Sequence, residues 1–396
     1  MESTLMKTVT TTEIPFDSDK LDRLMDTAGV DVLIASSKHN VGYLLGGYRF
    51  FFFEGMDAIG LSRYLPLFLY VKGRPDLSLY VGNVMESYER DRGCFWLPNV
   101  ETTSWGTRDA MQKALDHIGK LDRSPRRIAL EMAVLPADAF RALEAQLTNV
   151  EILDAQILLE RLRACKDAEE LAFLKKASDD VIDSMLAVIA SHGPGTTKQQ
   201  LVDALKREET NRCLNFEYCL ITTGTSLNRA PSDDVWRTGD IASLDSGGNY
   251  KGYIGDLCRM AILGEPDAEL VDILSHIGEI QQAARVPVRA GVRGGDIYAA
   301  TQDLVDRSPH KGYISFVAHG MGLISHEAPR LSGRAPVPYP GDDADQLLEA
   351  GMVLSIETTV LHPRRGFIKL EDTVAVTANG YEAYGDRGRG WNRGKI

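Results

Sequence analysis

Two apolar hairpins that each carry a pair of carboxylates constrain this chain more than any other feature. The first is LDSGGNYKGYIGDLCRM (244–260), with Asp245 in one arm and Asp256 in the other. Facing residues of an antiparallel hairpin have a constant sum of positions, and these acids are symmetric about the Tyr250–Lys251 bond. We therefore predict that Asp245 and Asp256 face each other, with Cβ atoms roughly 5 Å apart.

A second hairpin repeats this arrangement further along the chain. In MVLSIETTVLHPRRGFIKLEDTVAV (352–376), two apolar arms flank PRRG, and Glu357 and Glu371 are symmetric about Arg364. Either pair alone is also explained by a coincidence of spacing, or by one carboxylate that points to solvent. Two such pairs, both inside apolar strands, favour a shared role for the four acids.

Four carboxylates in an apolar core require positive charge, because like charges opposed in a sheet destabilise it. Few basic residues lie within these strands, so divalent metal ions are the natural counter-charge, and four negative charges match two of them. Oxygen ligands with a single imidazole favour Mn²⁺, with Co²⁺, Fe²⁺ or Zn²⁺ able to compete.

The candidate imidazole is His319, in the segment FVAHGMGLISHEAPRL (316–331). Glycines on both sides of Met321 let the backbone approach other groups closely. A single histidine on an apolar face is usually a core residue with satisfied hydrogen bonds, which is the alternative explanation. His326, seven residues later in the same glycine-rich segment, favours a chemical role.

The length and pattern of the chain predict two domains, since 396 residues are too many for one ordinary core. Helical patterns alternate with four apolar segments that predict buried strands, at 31–37, 67–71, 77–82 and 127–132. This pattern predicts an α/β domain over 13–160. Asp167 and Glu170 form a capping-box pattern that begins a long helix. Its apolar stripe consists of Leu171, Leu174, Val181, Met185 and Ile189. A second domain is predicted over 165–396.

The net charge, the apolar segments and the cysteine content limit which binding partners and which cellular compartment we expect. The net charge of −12 argues against nucleic acid as a partner, because no basic stripe is present to follow phosphates. No apolar run is long enough to cross a membrane, and MESTLMKTVTTTEIPF lacks the apolar region of a secretory signal. The five cysteines are scattered and odd in number, which is typical of reduced thiols in the cytoplasm.

The motifs resemble those of a known superfamily. LDSGGNYKGYIGDLCRM, AHGMGLISHEAP, GMVLSIE and GFIKLEDTVAVT match, in order and spacing, the pita-bread metallohydrolases: methionine aminopeptidase, Xaa-Pro aminopeptidase, prolidase and creatinase. AGVDVLIASSKHNVGYLLGG and LLERLRACKDAEELAFLKKAS resemble the creatinase-type N-terminal domain and its junction. The resemblance covers nearly the whole chain. It implies an α/β N-terminal domain followed by an α+β pita-bread (creatinase/aminopeptidase) catalytic domain.

The resemblance also implies the site and its chemistry. The implied ligands of a dinuclear metal site are Asp245, Asp256, His319, Glu357 and Glu371. Glu357 would double as general acid/base for the bridging water, and His326 would bind substrate or stabilise the tetrahedral intermediate. The expected reaction is hydrolysis of an amide-type C–N bond in a short peptide or a small molecule. The resemblance further implies a homodimer, in which the N-terminal domain of one subunit covers the active site of the other.

Several positions around this ligand set depart from the peptidase pattern. The departures are Asn228 in place of a substrate-binding His, Thr358 and Thr359 after Glu357 in place of Pro-Gly, Lys369 in place of Arg, and Cys258 in place of a small polar residue. Arg229 and Arg330 are candidates to bind a substrate carboxylate. Each of these two arginines is also explained as a surface or structural ion pair.

Three functions are compatible with a complete set of candidate metal ligands whose neighbouring residues depart from the peptidase pattern. The first is an Xaa-Pro peptidase of the aminopeptidase P or prolidase type. The alternative is a hydrolase of a small non-peptide substrate, of the ectoine hydrolase or creatinase type, although creatinase itself lacks this metal set. The third is an inactive binding protein on the same fold. Such proteins generally lose metal ligands, whereas this chain retains all five.

Overall fold

The strands of the protein form two separate sheets. A computed structural model describes residues 13–53, 62–332 and 341–396. Contacts between Cα atoms divide the chain into one unit over Met1–Leu162 and another over Arg163–Ile396. Among the described helices, none is long and apolar enough to cross a membrane.

The N-terminal unit contains a six-stranded sheet. Its strands are β1 (Val32–Ala35), β2 (Leu67–Val71), β3 (Leu79–Asn83), β4 (Asn99–Ser104), β5 (Arg127–Leu130) and β6 (Glu151–Asp154). The described helices are α1 (Ser18–Ala28), α2 (Lys38–Leu44), α3 (Ser87–Asp91), α4 (Thr107–Ile118), α5 (Ala137–Gln146) and α6 (Gln156–Leu162). The strand order is β4-β3-β2-β1-β5-β6, and β2 runs antiparallel to both of its neighbours. The four predicted strands are confirmed as β1, β2, β3 and β5.

The central strands β1 and β2 are apolar throughout because both faces of the sheet are covered there. Successive side chains of a strand point to opposite faces. Leu33 of β1 accordingly belongs to one apolar cluster with Phe68, whereas Val32 and Ile34 belong to a second cluster with Leu67. A sheet buried on both faces lacks the alternation of polar and apolar residues, as the continuous apolar segments indicated.

The C-terminal unit is built on an eight-stranded sheet. Its strands are β7 (Asn215–Thr223), β8 (Ile241–Tyr250), β9 (Tyr253–Ile262), β10 (Ile314–Gly320), β11 (Val353–His362), β12 (Gly366–Val376), β13 (Tyr381–Tyr384) and β14 (Asn392–Arg393). The described helices are α7 (Ala168–Ser191), α8 (Lys198–Asn211), α9 (Ala268–Arg285) and α10 (Asp296–Arg307). The main strand order is β10-β11-β12-β9-β8-β7, with β13 beside β12 and β14 beside β9. The two acid-bearing hairpins, β8–β9 and β11–β12, are therefore neighbours.

Helix α7 begins at the predicted capping box. The Asp167 side chain accepts from the backbone N–H groups of Glu169 and Glu170, and the Glu170 side chain accepts from the backbone N–H of Asp167. The helix packs on β8 and β9. Gly255 of β9 permits this approach, because a Cβ there would lie 2.7 Å from the backbone of Ala177.

The turn of the first hairpin differs from the predicted one. Tyr250 pairs with Tyr253, so the turn consists of Lys251 and Gly252. Both turn residues have positive φ, 51° and 100°. Two consecutive residues with positive φ are typical of a type I′ turn, whose twist matches that of the flanking strands. The centre of the hairpin therefore lies one residue later than the Tyr250–Lys251 bond.

This turn shifts the pairing of the acids. Asp245 lies opposite Cys258, and Asp256 lies opposite Gly247. The prediction that Asp245 and Asp256 face each other directly is therefore wrong by two residues. Because side chains alternate with a period of two, a two-residue shift leaves both carboxylates on the same face of the sheet.

The second hairpin has the predicted register. Glu357 lies directly opposite Glu371. His362 pairs with Gly366, which leaves a three-residue loop, 363–365, centred where the sequence symmetry placed it. Gly366 has a φ of 85°, as is common after a three-residue hairpin loop.

Candidate metal centre

Side chains from three strands of the C-terminal unit bring potential metal ligands together. Ligand atoms of Asp256, His319 and Glu371 all lie within 4.8 Å of one another, and all three residues are buried. Glu357 adjoins this group, with its Oε1 3.9 Å from Nε2 of His319. Oε1 of Glu371 lies at the same distance from that nitrogen.

His319 presents an unprotonated nitrogen to these carboxylates. Its Nδ1 lies 3.2 Å from the carbonyl oxygen of Gly320, to which it donates a hydrogen bond. This bond selects the tautomer with the proton on Nδ1. Nε2 is buried and has no hydrogen-bond partner among the described residues. An unpaired imidazole lone pair beside buried carboxylates fits a divalent ion, so the ligand chemistry agrees with a metal centre.

Two hydroxyl groups support the carboxylates. Ser355 donates to Oε1 of Glu371 at 2.8 Å. Tyr218 of β7 makes a side-chain hydrogen bond with Asp256. Its ring lies over Gly247, where a Cβ would come within 2.4 Å of the ring. Tyr218 was not predicted from the sequence. The sequence signal that could have indicated it is Gly247, because a glycine within a strand often marks a place where another group approaches closely.

Lys369 lies among the carboxylates. Its Nζ is 2.8 Å from Oδ2 of Asp245, 2.5 Å from Oε2 of Glu357 and 2.7 Å from Oε2 of Glu371. Burial alone would lower the pKa of Lys369, but these three carboxylates raise it well above its usual value. The ammonium is therefore charged. Besides any metal ion, Lys369 therefore supplies positive charge to these acids, because it lies inside β12 and points to the ligand face.

The electrostatics of Asp256 differ from those of Asp245. Burial, followed by the charges of Glu371 and Asp245, raises the pKa of Asp256 well above the usual value of an aspartate. No cationic side chain forms an ion pair with Asp256 in the part of the chain that the structure describes. Asp245, by contrast, contacts both Lys369 and Arg229. Asp245 thus has two side-chain cations in contact with it, whereas Asp256 has none among the described residues.

Arg229, Asn228 and Arg330 occupy different environments. The guanidinium of Arg229 contacts Asp245 and lies 4.8 Å above the centre of the Phe367 ring, and 34% of its side chain is exposed. Asn228 is exposed, and its Oδ1 accepts from the backbone N–H of Ala230 at 3.1 Å, which closes a local turn. Arg330 is buried, and its backbone N–H donates to an Asp343 carboxylate oxygen at 2.8 Å.

His326 lies against the proposed metal ligand His319. The two imidazole rings are stacked, with centroids 3.7 Å apart and an angle of 16° between their planes. Burial, followed by the proximity of the His319 imidazole and of the cations Lys369 and Arg330, lowers the pKa of His326 to about 3. The ring is therefore neutral near pH 7, where it is able to donate a hydrogen bond from one nitrogen.

A buried ion cluster holds the segment that carries His326. Glu327 accepts from Nε of Arg163 and Nζ of Lys166, both at 3.0 Å, and all three side chains are almost completely buried. Although burial opposes it, the two cations hold the pKa of Glu327 below its usual value. The sequence analysis did not predict this cluster, because its members are about 160 residues apart.

The opposite face of the sheet fixes the backbone of two central strands. Arg259 donates from Nη1 to the carbonyl oxygens of Cys258 at 2.8 Å and Glu371 at 2.7 Å. Its Nη2 forms an ion pair with Asp372 at 3.0 Å. Because Arg259 bonds both strands, it sets the position of Glu371 relative to β9.

Two of the remaining departures from the peptidase pattern, Cys258 and Thr358, are buried, whereas Thr359 is half-buried. Cys258 lies between Asp245 and Glu371 in the sheet register, and burial raises the pKa of its thiol well above the usual value. Thr358 follows Glu357 and therefore points to the opposite face. Its hydroxyl has no hydrogen-bond partner among the described residues.

Glu209 lies behind Asp245 and is fully buried. Its Oε1 accepts from the hydroxyl of Ser246 at 2.9 Å. Burial raises the pKa of Glu209 to about 8. The folded protein therefore keeps this carboxyl protonated up to about pH 8, whereas the unfolded chain releases the proton near its ordinary pKa of 4.5.

We expect Glu209→Gln to make the protein more stable than wild type at pH 8. Between about pH 4.5 and 8, Glu209 is ionised in the unfolded chain but protonated in the folded protein. Each pH unit in this range therefore lowers the free energy of unfolding of wild type by about 1.4 kcal/mol. The free energy of unfolding in urea, measured from pH 5 to 8.5, should show a gain for the variant that grows with pH and levels off. Glu349→Gln, at an exposed position, serves as the control. A variant-minus-wild-type difference that is independent of pH would contradict a protonated Glu209.

Comparisons with known proteins agree with this arrangement. Residues 172–378, more than half of the chain, match Metallopeptidase family M24, and residues 18–165 match the Creatinase/Prolidase N-terminal domain. The chain is 31% identical over 264 residues to the probable dipeptidase PepE of Mycobacterium tuberculosis, a match that covers 64% of each protein. It is 23% identical over 368 residues to the Xaa-Pro dipeptidase of Pyrococcus furiosus, covering 91% of this chain and 95% of that protein.

Solved structures show the same fold. The Xaa-Pro dipeptidase from Bacillus anthracis superposes with a TM-score of 0.78 at 22% identity, covering 95% of this chain and 99% of that one. The predicted fold class, an α/β N-terminal domain with an α+β pita-bread catalytic domain, is confirmed. The chain therefore belongs to metallopeptidase family M24 and is a metal-dependent peptidase with a creatinase/prolidase-type N-terminal domain.

Proposed function

We propose that this protein is an Xaa-Pro peptidase, which hydrolyses the C–N bond before proline in dipeptides or short peptides. The observation that carries the proposal is the convergence of buried carboxylates on the unpaired Nε2 of His319. The Xaa-Pro dipeptidase of Pyrococcus furiosus, which matches over nearly its full length, supports this substrate class.

The proposed centre holds two divalent ions. Its ligands are Asp245, Asp256, His319, Glu357 and Glu371. We propose Mn²⁺ as the ion, because four carboxylates and one imidazole form a predominantly hard ligand set, with Co²⁺, Zn²⁺ or Fe²⁺ as competitors. When bound, such ions polarise the scissile carbonyl and supply a nucleophile at neutral pH.

The protein side chains move protons and orient the substrate. Glu357 is partly accessible and borders the ligand group, so it is placed to take a proton from the nucleophilic water and pass it to the leaving nitrogen. His326, neutral and stacked on His319, donates a hydrogen bond to the substrate or to the tetrahedral intermediate. Arg229 and Asn228, at the accessible edge, and the buried Arg330 are the proposed substrate-binding residues.

A second candidate is a hydrolase of a small non-peptide substrate, of the ectoine hydrolase or creatinase type. Asn228 favours it, because this side chain stands where the peptidase pattern has a substrate-binding histidine. An amide donates a hydrogen bond but carries no positive charge. Its oxygen also accepts a hydrogen bond in a local turn, and its NH₂ group is the donor that it offers to a ligand.

We also propose a cytoplasmic homodimer. All five cysteines are free thiols, which supports a reducing compartment. The homodimer follows from the family resemblance, in which the N-terminal domain of one subunit covers the active site of the other. Light scattering of the active protein tests this assembly, and full activity in a monomer would contradict it.

The test of function is product release by the Mn²⁺-loaded protein from four kinds of compound. The panel holds Xaa-Pro dipeptides, Xaa-Pro-Xaa tripeptides, ectoine and creatine, with Glu357→Gln as the inactive control. We expect turnover of the proline peptides that is lost in the variant. Turnover of ectoine or creatine without turnover of peptides would overturn the first candidate in favour of the second. No turnover of any compound, with metal bound, would contradict both substrate classes.

A further inference from the structure

We propose that Lys198 is a positioning residue for substrate binding. Its ammonium holds the turn that carries Asn228 and Arg229 at a fixed place beside Asp245. This inference rests on the proposed function, in which the two turn side chains bind the substrate. Lys198, the first residue of α8, acts on the substrate only through this turn.

The burial of Lys198 is the first observation. Its side chain is completely buried, and burial lowers the pKa of its ammonium while Asp234 raises it. A cation in the first turn of a helix is also disfavoured, because this end of the helix carries partial positive charge. The helix does not require the lysine, since Thr197 and Gln200 already complete its capping box. A lysine kept against both effects indicates a role for its ammonium outside the helix.

The contact made by the ammonium is the second observation. Nζ of Lys198 donates to the backbone carbonyl oxygen of Asn228 at 2.7 Å and lies 3.7 Å from Oδ2 of Asp234. The next carbonyl oxygen, that of Arg229, accepts from the backbone N–H of Ile221 in β7 at 2.8 Å. Two consecutive peptide groups of the turn are therefore held by two different elements, α8 and β7.

The local bonds of Asn228 are the third observation. Its backbone N–H donates to Oγ of Ser226 at 3.2 Å, and its Oδ1 accepts from the backbone N–H of Ala230 at 3.1 Å. Together with the bond from Lys198, these contacts fix both the backbone and the side-chain oxygen. The NH₂ group of this exposed residue is then presented in one orientation.

The segment after the turn is held by the same end of α8. The backbone N–H groups of Lys198 and Gln199 donate to the carbonyl oxygens of Asp234 and Ser232, both at 2.9 Å. N–H groups in the first turn of a helix have no partner within the helix, so they are available for such bonds. The start of α8 thus holds this part of the chain at three points, and the bond to Asn228 is the one made by a side chain.

Loss of the ammonium should move the turn and therefore the bound substrate. Arg229 contacts the proposed metal ligand Asp245 and lies 4.8 Å above the centre of the Phe367 ring, so the place of its guanidinium depends on the place of its backbone. Losing a hydrogen bond from a charged donor corresponds to an effect of about tenfold or more. A shift of about 1 Å in a substrate-positioning group is sufficient to cost about a hundredfold.

The first test is the kinetics of Lys198→Met, which keeps an apolar stem and removes the donor. With a substrate that the Mn²⁺-loaded wild type hydrolyses, we expect KM to rise at least about tenfold while kcat stays within about threefold. Lys206→Met makes the same change at an exposed position of α8 and should behave as wild type. An unchanged KM, or a fall in kcat alone, would overturn the inference.

A double-mutant cycle separates positioning from a general loss of structure. In a protein that already carries Asn228→Ala and Arg229→Ala, Lys198→Met should change kcat/KM by less than about twofold, because the side chains through which the lysine acts are gone. A purely structural role would lower kcat/KM by the same factor in both backgrounds, and that result would contradict the proposal.

Hydrogen exchange tests the hold on the turn without any substrate. The N–H groups of residues 198, 199 and 221 all donate to carbonyl oxygens of the turn or of the segment after it. They should exchange at least about tenfold faster in Lys198→Met than in wild type, whereas the N–H groups of α7 should be unaffected. Equal exchange in the two proteins would overturn the inference.

The exchange measurement also distinguishes failure of this inference from failure of the proposed function. Faster exchange in the variant, together with no turnover of any compound by wild type, would reject the proposed function and support the hold on the turn. If the variant fails to fold, wild type decides. Slow exchange of the three N–H groups supports a fixed turn, and exchange at the rate of an unfolded peptide overturns it.

Discussion

Glu357→Gln is expected to lower the turnover of the substrate that wild type hydrolyses by about 10²–10⁴-fold, the usual contribution of a general acid/base. The amide has nearly the same shape as the carboxylate but cannot accept the proton of the nucleophilic water. Metal binding beside His319 should persist, because Asp256 and Glu371 are unchanged and lie within 4.8 Å of its ligand atom. The measurements are kcat and the Mn²⁺ content of the same preparation.

Glu349→Gln is the matched control for this variant. It makes the same chemical change at an exposed position of the same unit and should keep wild-type turnover. A Glu357→Gln enzyme that binds metal and retains more than a tenth of wild-type kcat would remove Glu357 from the proton-transfer role. Loss of the tightly bound ion together with activity would show instead that Glu357 acts mainly as a ligand.

Glu327→Leu is expected to lower the free energy of unfolding by about 3–5 kcal/mol, the cost of removing one partner from a buried ion pair. The change removes the carboxylate that Arg163 and Lys166 both contact, in a cluster whose three side chains are almost completely buried. Because Glu327 follows His326 directly, the segment that carries this imidazole should shift as well. Urea unfolding of the metal-free protein measures the loss.

Glu382→Leu is the control for Glu327→Leu. It breaks an ion pair with Lys175 in which about half of each side chain is exposed. Exposed pairs contribute about 0–1 kcal/mol, so this variant should remain close to wild type. If the two variants lost equal free energy of unfolding, the Arg163–Glu327–Lys166 cluster would contribute no more to stability than an exposed ion pair does.

The two hairpins show how far symmetry of the sequence predicts register. Glu357 and Glu371 face each other as predicted, because the three-residue loop lies at the centre of the symmetric segment. Asp245 and Asp256 do not, because the turn uses Lys251 and Gly252, one residue beyond the apparent centre. Glycine at the second position of a two-residue turn was the local signal that identifies this register.

The position of Lys369 among the carboxylates could have been predicted from the sequence, but the sequence analysis noted this residue only as a departure from the peptidase pattern. It precedes Glu371 by two residues in the same strand, and side chains two apart share a face. The alternation alone therefore places an ammonium on the ligand face. Counting basic residues within the strands was not sufficient, since a single buried lysine reaches three carboxylates.

Local patterns determined much of this protein without the structure. The alternation of apolar strands and helices predicted the N-terminal sheet, the capping box predicted the start of α7, and the paired acids marked the strands of the centre. These features depend on residues that are close in sequence, so their spacing carries the information.

Only the tertiary structure decided which distant groups meet. Tyr218 approaches Asp256 across the sheet, and Arg163 reaches Glu327 from 164 positions away. Contacts of this kind follow from strand order and packing, which bring together segments whose spacing along the chain does not predict their contact. The sequence by itself therefore determined the candidate ligands, whereas the fold decided how the charges around them are balanced.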